Sequence, residues 1–261
     1  MKLSAVLWAL LTGAVLLFLL APVAVLIFSA FDDGKFFRFP PRGLSLRWFG
    51  AALESPEYRS ALINSTIIAC VSTAISVTAG LMAATGLSRG GLKSRALVEL
   101  LLLAPLTLPL VVWAIALLQI YARLGISGTF GGLVLAHAVI TLPLSVRILL
   151  ATLAGIDPQM EEAARSLGAR PLRAFLRTTF PLALPGVLTA AVFSFLVSFN
   201  DVVVTTFIAG ARWMTFPVRM YSQLRGQGVD PITLAIGAMI VALILAAVIA
   251  GELKFKWSRR L

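Results

Sequence analysis

Apolar residues fall into six long blocks, at about 5–29, 62–86, 96–121, 132–153, 182–207 and 232–252, separated by shorter polar stretches. Each block is close to the roughly 20 residues a helix needs to cross a bilayer. The pattern predicts an all-α, polytopic integral membrane protein with six transmembrane helices and no separate soluble domain. The first block is too long for a cleaved leader and lacks a small-residue cleavage site, so it reads as an anchor. The loop Phe31–Ser60 carries an amphipathic signal around Leu46–Leu53. That signal fits an interfacial helix or a packed connection equally. In the third block, Pro105 and Pro109 stand four residues apart in LAPLTLPLVV. Proline removes a backbone donor and bends a helix, which suits either a cavity-lining kink or plain packing.

Composition supports this reading. The chain of 261 residues is 59% hydrophobic and 13% charged, against about 25% charged for soluble domains. The net charge of +11 would suggest nucleic acid in a soluble protein. Here the basic residues sit mostly between apolar blocks, as cytoplasmic anchors do, and nucleic acid is set aside as a partner. One side holds Lys2, Arg89, Lys93, Arg95, Arg165, Arg170, Arg173, Arg177, Lys254, Lys256, Arg259 and Arg260. The short, dense Arg89–Arg95 loop weighs most, and it places both termini in the cytoplasm. Cys70, the single cysteine, lies within an apolar block and forms no intrachain disulfide. No metal-ligand spacing occurs.

The charge-rich stretch EEAARSLGARPLRAFLRTTFPLALPG, Glu161–Gly186, stands between two apolar blocks. Asp157-Pro158 reads as a helix start. Glu161 and Glu162 then suit the positive first turn, and Gly168 suits the position that ends a helix. Pro171 starts a second helix, Leu172–Phe180, which Pro181 is expected to stop. Small Ala163 and Ala164 permit close approach of another surface, and four arginines offer charge to a partner or to membrane lipid. A docking knob and an ordinary basic loop both fit these features.

The cassette resembles the EAA loop of the membrane subunits of bacterial ATP-binding-cassette importers. Glu162-Ala163-Ala164, Gly168 and Pro181 match that motif in type and spacing, while Thr178 and Phe180 replace the usual Ile and Leu. The resemblance implies a type I importer permease, a single domain over 1–261 with a cytoplasmic coupling loop at about 154–182. Glu161, Glu162, Ala163, Ala164, Gly168 and Pro181 would then carry coupling to a partner ATPase dimer. The chain has no GxxxxGK[ST] phosphate loop, Gly91-Leu92-Lys93-Ser94 being a near miss. No catalytic residue or cofactor is therefore expected in this chain, and ATP and Mg²⁺ would be bound by the partner.

Ionisable residues at membrane depth are candidates for function. Glu99 and Arg147 lie near block ends and can reach the interface, and His137 reads as a hydrogen-bonded packing residue. Asp201, beside Asn200 in SFLVSFNDVVVTTFIAG, could face a pathway and attract cations, or it could pair within the bundle. Trp113 and Tyr121 could add cation–π faces or serve as belt residues. Phe199–Val204 together with Phe216–Ser222 resembles the second permease subunit of spermidine/putrescine importers, over nearly the whole chain. Many of that subfamily carry two aspartates where this chain has Asn200-Asp201. The resemblance implies an inner-membrane permease for polyamines or a related small amine, with a homologous second permease and a periplasmic solute-binding protein as further partners. An importer of another small solute, such as an amino acid, is the alternative, and an ATPase-independent secondary transporter is the rival.

Overall fold

The computed structural model describes residues 2–35, 38–91 and 94–255. Lys93, Lys256, Arg259 and Arg260, counted above for orientation, lie outside the described residues. The described chain is built of helices: α1 (Lys2–Ala30), α2 (Arg47–Glu54), α3 (Pro56–Arg89), α4 (Arg95–Leu103), α5 (Leu110–Leu124), α6 (Phe130–Ala154), α7 (Gln159–Ser166), α8 (Pro171–Ala174), α9 (Phe180–Phe199), α10 (Val203–Ile208), α11 (Phe216–Gln227) and α12 (Pro231–Phe255). Among the described residues four helical segments are long and apolar enough to cross a membrane. They are α1, α3, α6, and α8 with α9 joined through residues 175–179. A fifth is α4 with α5, if this pair, bent by 100°, counts as one broken span. α12 adds a shorter apolar stretch, Pro231–Ala246.

The proline pair does more than kink the third block. A 3₁₀ turn, Ala104–Leu106, follows α4, and Pro109 then takes an extended conformation (φ −57°, ψ 134°) before α5 begins. Proline disfavours helical geometry in the residue before it and removes its own amide from the ladder. Two of them within five positions therefore turn the chain through a corner. The fifth block also ends earlier than expected, because α9 stops at Phe199 and α10 starts afresh at Val203. The amphipathic signal near Leu46–Leu53 is realised as α2.

The chain forms two units, residues 1–59 with 220–261, and residues 60–219. In the first unit, α1 and α2 pack on α12. Tyr58 links to Thr233 through their hydroxyls (2.8 Å) and donates to Asp230 Oδ2 (3.3 Å). The loop after α1 is closed by an antiparallel bridge between Asp32 and Leu44, and by the Trp48 indole donating to the Gly34 carbonyl (3.0 Å).

In the second unit α6 is the central helix. Of its apolar span 61% is buried, against 0% for α1 in the first unit. α9 presents a buried stripe of small residues, Ala183, Gly186, Ala190, Ser194 and Ser198. Such a stripe lets two backbones approach closely, which matters in lipid, where dispersion and interhelical hydrogen bonds drive packing. A Cβ on Gly186 would meet Thr152 of α6 at 2.0 Å, and Ser194 bonds Ser145 of α6 at 2.8 Å. Gly80 of α3 similarly approaches Ser145, where an added Cβ would lie 2.9 Å away. A larger apolar cluster, including Ile68, Leu117, Tyr121, Leu133, Ile140 and Ile208, fills the other end.

Candidate functional site

The cassette folds as capping chemistry requires. Asp157 Oδ1 accepts from the Gln159 amide (2.9 Å), satisfying one of the orphan donors at the start of α7. Pro158 takes the capping position itself, one residue after the expected Asp157. At the other end Gly168 adopts φ +89°, the left-handed geometry that closes a helix. The Gly168 amide then reaches the Arg165 carbonyl (2.9 Å) and the Ala169 amide the Ala164 carbonyl (3.1 Å). No residue of α7 is buried, and Leu167 at its end is 90% exposed. A solvent-bathed helix with protruding Met160 and Leu167 has the form of a docking element.

The two glutamates part company. Glu162, Ala163 and Gly168 are exposed. Ala164 and Glu161 are half-buried, and Glu161 pairs with Arg89 at the end of α3. Thr179 donates to Glu161 Oε2 (3.0 Å) and accepts from Arg89 Nη1 (3.1 Å). Arg89 was counted in the sequence only as an anchoring charge, and Thr179 was not singled out. Their distances along the chain, 72 and 18 residues from Glu161, carry no local signal of the contact. Beside this contact lies a cavity of about 280 Å³ lined by Ser88, Arg89, Pro158, Glu161, Glu162 and Arg165.

Pro181 does not stop the second helix, contrary to expectation. Residues 175–179 form a π-helical stretch, in which the Phe180 amide bonds the Phe175 carbonyl, and the chain continues into α9. The wide turn re-pairs the backbone just where proline lacks a donor, so the chain runs on instead of breaking.

The pathway candidates fall into different surroundings. Asp201 is 7% exposed. Its carboxylate caps α10: Oδ2 accepts from the Thr205 amide (2.8 Å) and hydroxyl (2.9 Å), and Oδ1 accepts from the Val204 amide (3.3 Å). His137, fully buried, lies 3.9 Å from Asp201 Oδ2, contacts Ser198 Oγ through Nδ1 (2.7 Å) and Thr205 Oγ1 through Nε2 (2.9 Å). Thr205 gives its one hydroxyl proton to Asp201, so it accepts from the imidazole Nε2–H. Ser198 extends the knot to Ser72 of α3 (3.0 Å). Asp201 stands one residue before Val202, the capping position of α10, and sequence reasoning did not assign its bonds to the Val204 and Thr205 amides.

Asn200 is exposed, and its amide nitrogen donates to the Leu196 carbonyl (2.9 Å), leaving Oδ1 as an open acceptor. Tyr121 is 6% exposed and packs inside the apolar cluster. Trp113 is half-buried on α5, and its indole N–H has no hydrogen-bond partner among the described residues.

The fold has a counterpart. A chain in the crystal structure of a bacterial ABC transporter involved in import of the acidic polysaccharide alginate superposes with a TM-score of 0.74 at 18% identity, covering 98% of this chain and 96% of that one. The likeness shows the fold, an all-helical, polytopic architecture shared with that chain. The chain belongs to the family of binding-protein-dependent transport system inner membrane components, whose family model matches residues 76–254. It is 30% identical over 236 residues to the spermidine/putrescine transport system permease protein PotC of Haemophilus influenzae (90% of this chain, 91% of the relative). It is 29% identical over 231 residues to the putrescine transport system permease protein PotI of Escherichia coli K12 (86% and 82%). The chain is therefore a multi-pass inner-membrane permease of an ABC importer, a non-catalytic component of a kind that carries no cofactor.

Proposed function

We infer that this permease carries a small cationic amine of the polyamine class inward, as one of two homologous permeases above an ATPase dimer and below a periplasmic binding protein. The observation that carries the coupling half of this reading is α7, a capped helix with no buried residue, bounded by the Gly168 turn. Its exposed Glu162 and Ala163, with Gly168 just beyond the helix, meet the ATPase. Six spans with both termini in the cytoplasm put α7 on the ATPase side, α4–α5 counting as one broken span and α12 as the sixth. ATP binding closes the ATPase dimer, α7 moves, and the spans open outward to receive solute.

The polyamine half rests on the likeness to PotC and PotI over most of the chain. An ammonium group needs acceptors and π-faces. Asn200 Oδ1 and the Trp113 ring are the candidates this chain offers, while Asp201 acts by holding the α9–α10 break in shape. One observation favours a second reading. With Asp201 turned inward, the break offers an exposed amide and no exposed carboxylate of its own. A solute of lower charge, such as an amino acid or a monoamine, would suit that better than a tri- or tetramine.

The test is ATPase activity of the complex, assembled with its binding protein in nanodiscs, with spermidine, putrescine and neutral amino acids supplied in turn. Stimulation by the polyamines is the expected result. Stimulation by an amino acid alone keeps the importer and overturns the polyamine assignment.

A further inference from the structure

Glu161 lies at the centre of a ring that ties three distant pieces of chain together. Arg89 is the last residue of α3, Glu161 sits in the first turn of α7, and Thr179 ends the π-helical entry to α9. Arg89 Nη1 pairs with Glu161 Oε2 and donates to Thr179 Oγ1 at 3.1 Å, while the same hydroxyl donates to Glu161 Oε2 at 3.0 Å. The hydroxyl receives from the cation and gives to the anion, so each polar atom reinforces the other two. The Arg89 and Glu161 side chains are 17% and 16% exposed and Thr179 is 1% exposed. Solvent screening is correspondingly weaker than at an open surface pair.

The ring matters because α7 has little else to hold it. It buries no residue of its own. Its backbone leaves α6 through the turn at Gly155 and ends at Gly168. α3, at 34 residues, is about 51 Å long at 1.5 Å per residue, well beyond the ~30 Å of a hydrocarbon core. Its end therefore stands clear of the apolar layer, level with the cassette.

We propose that the Arg89–Glu161–Thr179 ring is the joint through which displacement of α7 reaches α3 and α9. Glu161 is a positioning residue that faces the spans, while its neighbour Glu162 is left for the ATPase. The chain itself links α7 to α6, so one short helix addresses three spans: α6 by backbone, α3 and α9 by the ring. Inside the unit those spans touch through close-packed small residues, Gly80 against Ser145 and Gly186 against Thr152. A shift at the ring is passed on without slack, because close-packed interiors transmit strain. This inference rests on the reading of α7 as the coupling element.

A charge swap tests it in the full complex with binding protein and spermidine. The variants are Arg89→Glu, Glu161→Arg, the double swap, and Gly168→Asp as a probe of α7 itself. Each single swap is expected to lower binding-protein-stimulated ATPase activity about tenfold with all subunits still co-purifying, the size of one coupled pair. The double swap should recover most of it, and Glu161→Gln, which keeps an acceptor for Thr179, should fall in between. Native stimulation in both single variants overturns the joint. So does loss that the double swap leaves unrepaired, or loss of assembly in the singles, which a merely structural tie would give. If Gly168→Asp is also fully stimulated, the coupling reading of α7 fails as well; if it alone is uncoupled, that reading stands and only the joint is lost.

Discussion

The cassette at 157–181 and the knot around His137 are both polar islands in an apolar chain, and each is organised by a carboxylate capping a helix. They differ in what surrounds them. Asp157 caps α7 in the open, and α7 buries nothing. Asp201 caps α10 inside the bundle, within reach of a fully buried histidine. Burial turns the same device from a local helix start into a constraint on four elements, α3, α6, α9 and α10. A buried acceptor that loses its donors costs the whole desolvation penalty, whereas an exposed one falls back on water. The knot is therefore where the fold is vulnerable, and the exposed cassette is where substitutions should leave the fold in place.

The two glycines Gly186 and Gly168 sharpen this contrast most. Gly186→Val drives a side chain into Thr152 and should cost about 3 kcal/mol by overpacking, read as loss of monodisperse permease on size-exclusion and a lowered melting temperature. A Gly186→Val permease that is folded and native in stability would break the packing account. Asp201→Ala comes next. It removes the α10 cap and strands the Thr205 and Val204 amides, for a loss of about 2–3 kcal/mol. Asp201→Asn keeps one of the two acceptor oxygens, enough for the Thr205 amide and hydroxyl, and gives up the longer bond from the Val204 amide; it should cost less than Asp201→Ala, about 1 kcal/mol, with uptake retained. Transport abolished in Asp201→Asn with assembly intact would return Asp201 to the pathway.

Gly168→Ala has no steric obstacle, since a Cβ there meets nothing within 4 Å. It should cost only the strain of left-handed geometry, about 1–2 kcal/mol, and leave the fold in place. The smallest effect is expected at the Ser145–Ser194 contact between α6 and α9. Each serine-to-alanine change there should lower stability by about 0.6 kcal/mol, the usual worth of an interhelical hydrogen bond in a membrane protein. A double-mutant cycle on melting temperature checks it.

What the sequence made legible tracks how local the cause is. Membrane-length helices follow from runs of apolar residues, and α1, α3, α6 and α9 lie where those runs predicted. α7 was legible because its cap, its acidic first turn and its terminal glycine all act within a dozen residues. The break between α4 and α5 was visible as two prolines, though its 100° angle was not. The inward turn of Asp201 was one of two readings the sequence left open, and what selects it, the meeting of Ser72, His137 and Ser198, arises only in the tertiary fold. Glu161 and Glu162 are chemically identical neighbours, and only the position of Arg89 separates the one that faces the spans from the one that is exposed.

In the proposed function α7 transmits the work of the ATPase while the buried knot only holds the frame. The most direct measurement is binding-protein-stimulated ATPase activity of the nanodisc complex, native against Gly168→Asp, with subunit stoichiometry followed in the same samples. Full assembly is expected, with stimulation reduced at least about tenfold in the variant, a barrier change of about 1.4 kcal/mol. Undiminished stimulation in a fully assembled Gly168→Asp complex would contradict it.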